Sequence, residues 1–362
     1  MRSNIKHSIL WVFIYLIMAI WMTGCPVSSH LNEGPRYCGP HSIVFSSAGT
    51  AYLLGWNQIL AIDPQGNLIY SKQGHSTYGT FSDMLDISDN GHIWEVSSGV
   101  GGIPTILIST SEGNFVTQIA TDFLTSVKVS PSTDIGWVGG LSSTSNTILE
   151  ALNVSGQTLT SFTLPENLTS YRGWIFNAVK LAISRVDSTV WAWSRGYLSG
   201  YLFTGPVYGP YPINLFEPPA GYLNCATNEK WIIVDPITNA IWMGTPATTT
   251  ILALSKDGTI QFQKDLDIYV STMAVSPKTG NVWIGSKNKI EMLDPYGNVI
   301  KQLTFKNLRC ITYIAISPLD NTVWVGNETN MASTDKNIFI LDENGNIINS
   351  FHVPVACLLP AM

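Results

Sequence analysis

The stretch VSPKTGNVWIGSKNKIEMLDPYGNVI, residues 275–300, holds two turn motifs between apolar runs. The first motif is Ser-Pro-x-x-Gly, ending at Gly280. It leads into the alternating run Val282-Trp283-Ile284. The second is Leu293-Asp-Pro-Tyr-Gly297, and another β-branched run follows it. Pro presets φ, a Ser or Asp side chain bonds the nearby backbone, and Gly accepts φ > 0, so each motif reads as a hairpin turn. The first motif recurs in ISPLDNTVWVG (316–326), VSPSTDIGWVG (129–139), VDPITNAIWMG (234–244) and ISRVDSTVWAW (183–193). It recurs shortened in ISDNGHIW (87–94) and most worn in FSSAGTAY (45–52). The second recurs at residues 62–66, 152–156, 254–258 and 341–345, loosely before Gly113, and is missing from the fourth copy.

The aromatic of each first motif falls at Tyr52, Trp94, Trp137, Trp191, Trp242, Trp283 and Trp324. A period of roughly 40–50 residues with strand content signals a propeller. One repeat reads as four strands; in the last copy these are residues 313–317, 322–326, 337–341 and 346–351. A single four-stranded sheet cannot cover both of its faces, whereas radial stacking hides them. The expected fold is therefore all-β, a seven-bladed β-propeller over residues 41–357, with the aromatics buried between blades. Blades 1 and 7 each look complete, so no donated strand is expected to lock the ends.

Only 12% of the 362 residues are charged, the net charge is −6, and no Lys/Arg run exists. A nucleic-acid partner is not expected, because phosphate binding needs a basic surface. The chain opens MRSNIKH and continues SILWVFIYLIMAIWM to Thr23-Gly24-Cys25. A short basic stretch before an apolar run of about 15 residues is the pattern of an export signal. Met22-Thr23-Gly24-Cys25 resembles the lipobox of bacterial lipoproteins. That resemblance implies removal of residues 1–24, lipid on Cys25, and a tether over 25–40. It implies an exported, membrane-anchored protein, and Pro26 after the cysteine favours the outer membrane or cell surface. Several acyl chains on one cysteine anchor stably.

The repeats themselves resemble NHL-repeat and gluconolactonase-type propellers. The likeness speaks for the fold more than for activity, since many activities sit on this ring. Gluconolactonase-type enzymes hold a divalent metal with inner carboxylates and an Asn. Here the first-strand segments carry only Asp86 and Asp235, and Asp235 doubles as a turn residue, so no metal or other cofactor is expected. Virginiamycin-lyase-like propellers need a histidine-centred site, and His30, His41, His75, His92 and His352 are scattered. No nucleophile elbow, P-loop or dinucleotide fingerprint occurs. No catalytic residue is assigned, and the chain is expected not to be an enzyme.

Cys38 and Cys357 fall at places that a closed ring would superpose, and an exported setting permits a Cys38–Cys357 disulfide. Cys310 occupies the position equivalent to Cys38, and Cys225 precedes the first strand of blade 5, so their pairing stays open. The spacing widens around blade 4, in residues 164–179 and 195–224. Tyr171, Trp174, Tyr197, Tyr201, Tyr208 and Tyr211 there form a candidate partner-binding patch, since repeat insertions gather on one face. Against this, part of the second segment can simply be the outer strands of blade 4. The expected function is a β-propeller binding or scaffold module for an envelope protein or a glycan. The alternatives are a carbohydrate- or small-ligand-binding propeller and a metal-dependent lactonase- or lyase-like enzyme.

Overall fold

The computed structural model describes residues 37–353, apart from 39, 41, 56–57, 74–83, 98–103, 122–125, 142–145, 166–178, 195, 214–230, 246–247, 307, 309 and 331–335. These residues form a seven-bladed β-propeller of four-stranded antiparallel sheets, and no helix occurs among them. The leader, Cys25, Tyr171, Trp174, Cys225 and Cys357 lie outside the described residues.

Each blade is a meander in chain order, and among the described residues only in blade 7 does a short strand, Thr329–Asn330, stand outside the sheet between its second and third strands. Blade 6 runs Thr272–Val275, Val282–Ser286, Lys289–Leu293 and Val299–Thr304 from the channel outward. Blade 7 runs Ile311–Ile316, Val323–Asn327, Ile338–Leu341 and Ile347–Phe351, within a residue or two of the sequence expectation. The turn chemistry explains why the chain folds back where it does. Asp294 Oδ1 accepts the N–H groups of Tyr296 at 2.9 Å and Asn298 at 2.8 Å, and Gly297 takes φ 83°. Asp63 and Asp342 repeat the arrangement in blades 1 and 7. In six blades the third and fourth strands slip register at the same place, one residue before this turn, for example between Met292 and Leu293.

All seven motif aromatics are buried, with Trp94 and Trp242 fully enclosed. Trp94 lies over Gly136 of the next blade, where any Cβ would meet the indole at 2.4 Å. The hairpins between first and second strands also link blade to blade. Ser184 donates to Asn239 Oδ1 at 2.8 Å and Ser276 to Asn321 Oδ1 at 2.7 Å. Both asparagines sit at φ near 60° in the neighbouring turn.

The ring closes where blade 7 packs on blade 1, with Phe45 set edge-on to Trp324 at 5.5 Å. The ends are tied more firmly than expected. Residues Tyr37–Cys38 pair as a two-residue antiparallel ribbon with Thr329–Asn330 of blade 7. Thr312 donates its hydroxyl to the Pro40 carbonyl at 3.0 Å, and Pro40 covers Gly326. This corrects the expectation of an unlatched ring: two residues are too short to leave a strand pattern in sequence. Cys310 is buried, and its N–H donates to Asn327 Oδ1 at 3.1 Å.

Blade 4 departs most from the sequence reading. Its outer strands are Tyr197–Leu202 and Gly205–Pro212, joined by a two-residue turn. The candidate tyrosines of that segment are therefore strand residues. The fourth copy lacks the Leu-Asp-x-x-Gly signal because its hairpin is too tight to need it.

Candidate functional site

The first strand of each blade lines the channel. Successive side chains of a strand alternate, so residues two and four before the hairpin Ser or Asp share one side. Across the blades the second-before row is Val44, Asp86, Lys128, Ala182, Ile233, Ala274 and Ala315. All of these but Ala274 line one or both of two adjoining cavities of about 220 Å³ each. The cavities share Asp86, Ile87, Ile183, Arg185, Val234 and Val275, so they are neighbouring parts of one channel.

The channel has a lip and a floor. At the lip, Pro131, Pro236, Pro277 and Pro318 follow the hairpin Ser or Asp in blades 3, 5, 6 and 7; blade 4 places the exposed Arg185 there instead. At the fourth-before row, Trp231 of blade 5 and Tyr313 of blade 7 meet edge-on, their rings 5.5 Å apart. Both are buried, and with Met273 they narrow the inner end.

Asp86 is the acid of this space. Its Oδ2 accepts the Val129 N–H of blade 3 at 2.7 Å. Burial pushes its carboxyl above the ordinary carboxylate range; the Lys128 charge, the N–H groups of Val129 and Ile87, and the Arg185 charge pull the other way without cancelling it. The arrangement can hold or exchange a proton at Asp86 and offer two cations to a bound group. Asp235 is not part of it. That side chain is fully buried and spends its oxygens on the Ile237 N–H at 2.9 Å and the Thr238 hydroxyl of its own turn.

The blade 4 tyrosines are not brought together as an exposed patch. Tyr201 is buried and stacks on Phe162 of blade 3 with ring centroids 5.3 Å apart. Tyr208 stacks on Trp191 at 5.5 Å, and Tyr211 donates to the Lys256 carbonyl of blade 5 at 3.3 Å. Tyr197 opens the third strand and is half-buried. Tyr201 and Tyr211 thus pack between neighbouring blades, and Tyr208 packs within blade 4. His92 sits in a hairpin beside Asp134, with Nδ1 3.2 Å from its carboxylate, away from the cavity lining. Among the described residues no group of three His, Cys, Asp or Glu could hold a metal. Lys128 and Arg185 carry no metal-binding or catalytic motif of their own in the sequence. Aligning the copies on the hairpin residue would have shown both.

No family model matches the chain. No curated protein sequence matches it either. Among solved structures it is similar to a streptogramin B lyase, at 16% identity over 79% of this chain and 89% of that one, with TM-score 0.59. It is also similar to virginiamycin B lyase from Staphylococcus aureus, at 15% identity over 80% and 92%, with TM-score 0.57. Likeness at this identity establishes the shared propeller. It also corrects the expectation that the chain is not an enzyme: the solved propellers it resembles are lyases, so scattered histidines are no ground for excluding catalysis.

Proposed function

We propose that this propeller binds a small ligand in its channel. The observation that carries the reading is one charged set, Asp86, Lys128 and Arg185, in a cavity whose other lining side chains are apolar or aromatic and which Trp231 and Tyr313 narrow. Few polar groups placed in an apolar concavity are the usual make-up of a ligand site. Each cavity of about 220 Å³ suits a fragment-sized molecule, and the two together reach the roughly 300–1,000 Å³ that drug-sized ligands take. Saturation-transfer NMR with a mixture of fragments tests this. Hits that vanish in Ala315→Trp, which fills the channel, support it. Hits that persist unchanged in that variant, or no hits at all, rule it out.

A second reading adds chemistry. A half-buried carboxyl raised above its ordinary range suits proton transfer, and the similar solved propellers are enzymes by name. Conversion of a channel-bound compound by the native protein, lost in Asp86→Asn while binding survives, is the expected outcome. Failure to find any conversion that depends on Asp86 argues for binding alone.

The setting we propose is outside the cytoplasm, with the disc held to a membrane by lipid on Cys25. Met22-Thr23-Gly24-Cys25 after the apolar run supports this. Incorporation of labelled palmitate that Cys25→Ser abolishes is the expected result; equal labelling of the variant removes the tether from the account.

A further inference from the structure

The charged groups of the channel are not spread around it. Asp86, Lys128 and Arg185 come from blades 2, 3 and 4, three consecutive blades. At the row that carries Asp86 and Lys128, blades 5, 6, 7 and 1 supply Ile233, Ala274, Ala315 and Val44. The lip residues of blades 5, 6 and 7 are prolines. The channel thus has a polar arc and an apolar arc, with the Trp231–Tyr313 pair below. Lys128, Arg185 and Asp86 lie on the polar arc, with Asp89 exposed at the lip of blade 2, in a chain whose net charge is −6.

From this asymmetry we infer that the ligand is a small amphipathic anion, a monocarboxylate whose apolar body lies against blades 5 to 1 and whose carboxylate faces Arg185 and Lys128. The inference rests on the small-ligand reading above and sharpens it to a chemical class. A strand rises about 3.3 Å per residue, so five residues from the row of Trp231 to the row of Arg185 span roughly 16 Å. That depth is more than enough for an eight-carbon chain or a short aryl-alkyl acid entering body first. A cationic ligand would meet two like charges here. A neutral one would leave the lip arginine unused. Arg185, like Ser47 of blade 1 and Asp89 of blade 2, is a lip residue the repeat does not dictate, because a proline serves the same turn position in the four other blades. The direction of the Asp86 shift agrees with an anionic neighbour: a protonated Asp86 donates to a carboxylate instead of repelling it.

The test compares matched probes on the purified protein by calorimetry, with tryptophan fluorescence as a second readout: octanoate, octanamide and octylammonium, then 3-phenylpropanoate and its amide. The acids are expected to bind at least tenfold more tightly than their amides, and octylammonium more weakly than either. Arg185→Pro, which copies the turn of the other blades, is expected to cut the preference for acid over amide to about threefold or less while amide binding persists. Ala315→Trp is expected to abolish binding of acid and amide together. Equal binding of acid and amide, a preference for octylammonium, or no binding of any probe overturns the anion inference. Those results leave the small-ligand reading to stand or fall on the fragment hits and their loss in Ala315→Trp. An acid preference that survives Arg185→Pro and Lys128→Gln together also overturns the inference.

Discussion

Two rings of side chains run through this propeller, one nearly constant and one varied. The second strands place Tyr52 and six tryptophans in equivalent positions, all buried. The first strands place Val44, Asp86, Lys128, Ala182, Ile233, Ala274 and Ala315 in theirs. The outer ring faces the same task in every blade, filling the wedge between two sheets, so the same large ring recurs. The inner row faces shared space, so each residue there is released from its neighbour's requirement. Where a repeat is constant it reports packing, and where it breaks it reports what the particular molecule does.

The sharpest attack on this contrast is on the constant ring. Trp94→Ala is expected to cost about 3–5 kcal/mol, measured by urea unfolding. Gly136→Val should be comparably damaging, because its new side chain collides with the same indole. A loss below about 1 kcal/mol in both would mean that the aromatics do not hold the ring.

Next comes the turn chemistry. Gly297→Ala puts a Cβ at φ 83° and 2.7 Å from the Phe262 ring, so a loss of about 1–2 kcal/mol is expected. Asp294→Ala removes an acceptor of two backbone N–H groups and should cost about 1 kcal/mol. Thermal shifts ordered the other way would put the turn motif second to its neighbours.

The inner row should answer to pH rather than to size. Because the Asp86 carboxyl is held above its ordinary range, the native state binds that proton more tightly than the unfolded chain does. Stability from this group therefore falls as pH rises from the ordinary carboxylate range through the native value. Asp86→Asn does not titrate, so its urea midpoint relative to the native chain should move upward across that window. A difference that stays flat would show that Asp86 is solvated like a surface acid.

The smallest effect is expected where the repeat carries neither duty. Tyr296 is 79% exposed in its turn, and Tyr296→Ser should change stability by no more than about 0.5 kcal/mol. A larger change would reveal a contact made by the hairpin face.

The contrast also explains what could be read beforehand. Blade 7 was legible almost to the residue because Ser-Pro-x-x-x-x-x-Trp and Leu-Asp-x-x-Gly mark both of its hairpins. Blade 4 was legible only in part, since its outer hairpin turns in two residues with no such mark, and its tyrosines fitted either an insertion or the outer strands. Asp86 was visible in the first strand as a lone acid. Its partners, Lys128 and Arg185, lie 42 and 99 positions further along the chain and emerge only when the copies are aligned on the hairpin residue.

Local chemistry alone determined the strands, the turns, the number of blades and the identity of the inter-blade aromatics. Each of these is enforced within one repeat by alternation and by a few residues that bend the backbone. Ring closure decided the rest: which side chains share the channel, that blades 2 to 4 give it a polar arc, that Trp231 and Tyr313 meet two blades apart, and that residues 37–38 latch onto blade 7. Those neighbours are set by burial and electrostatics across the whole circle, and no spacing within a single copy encodes them.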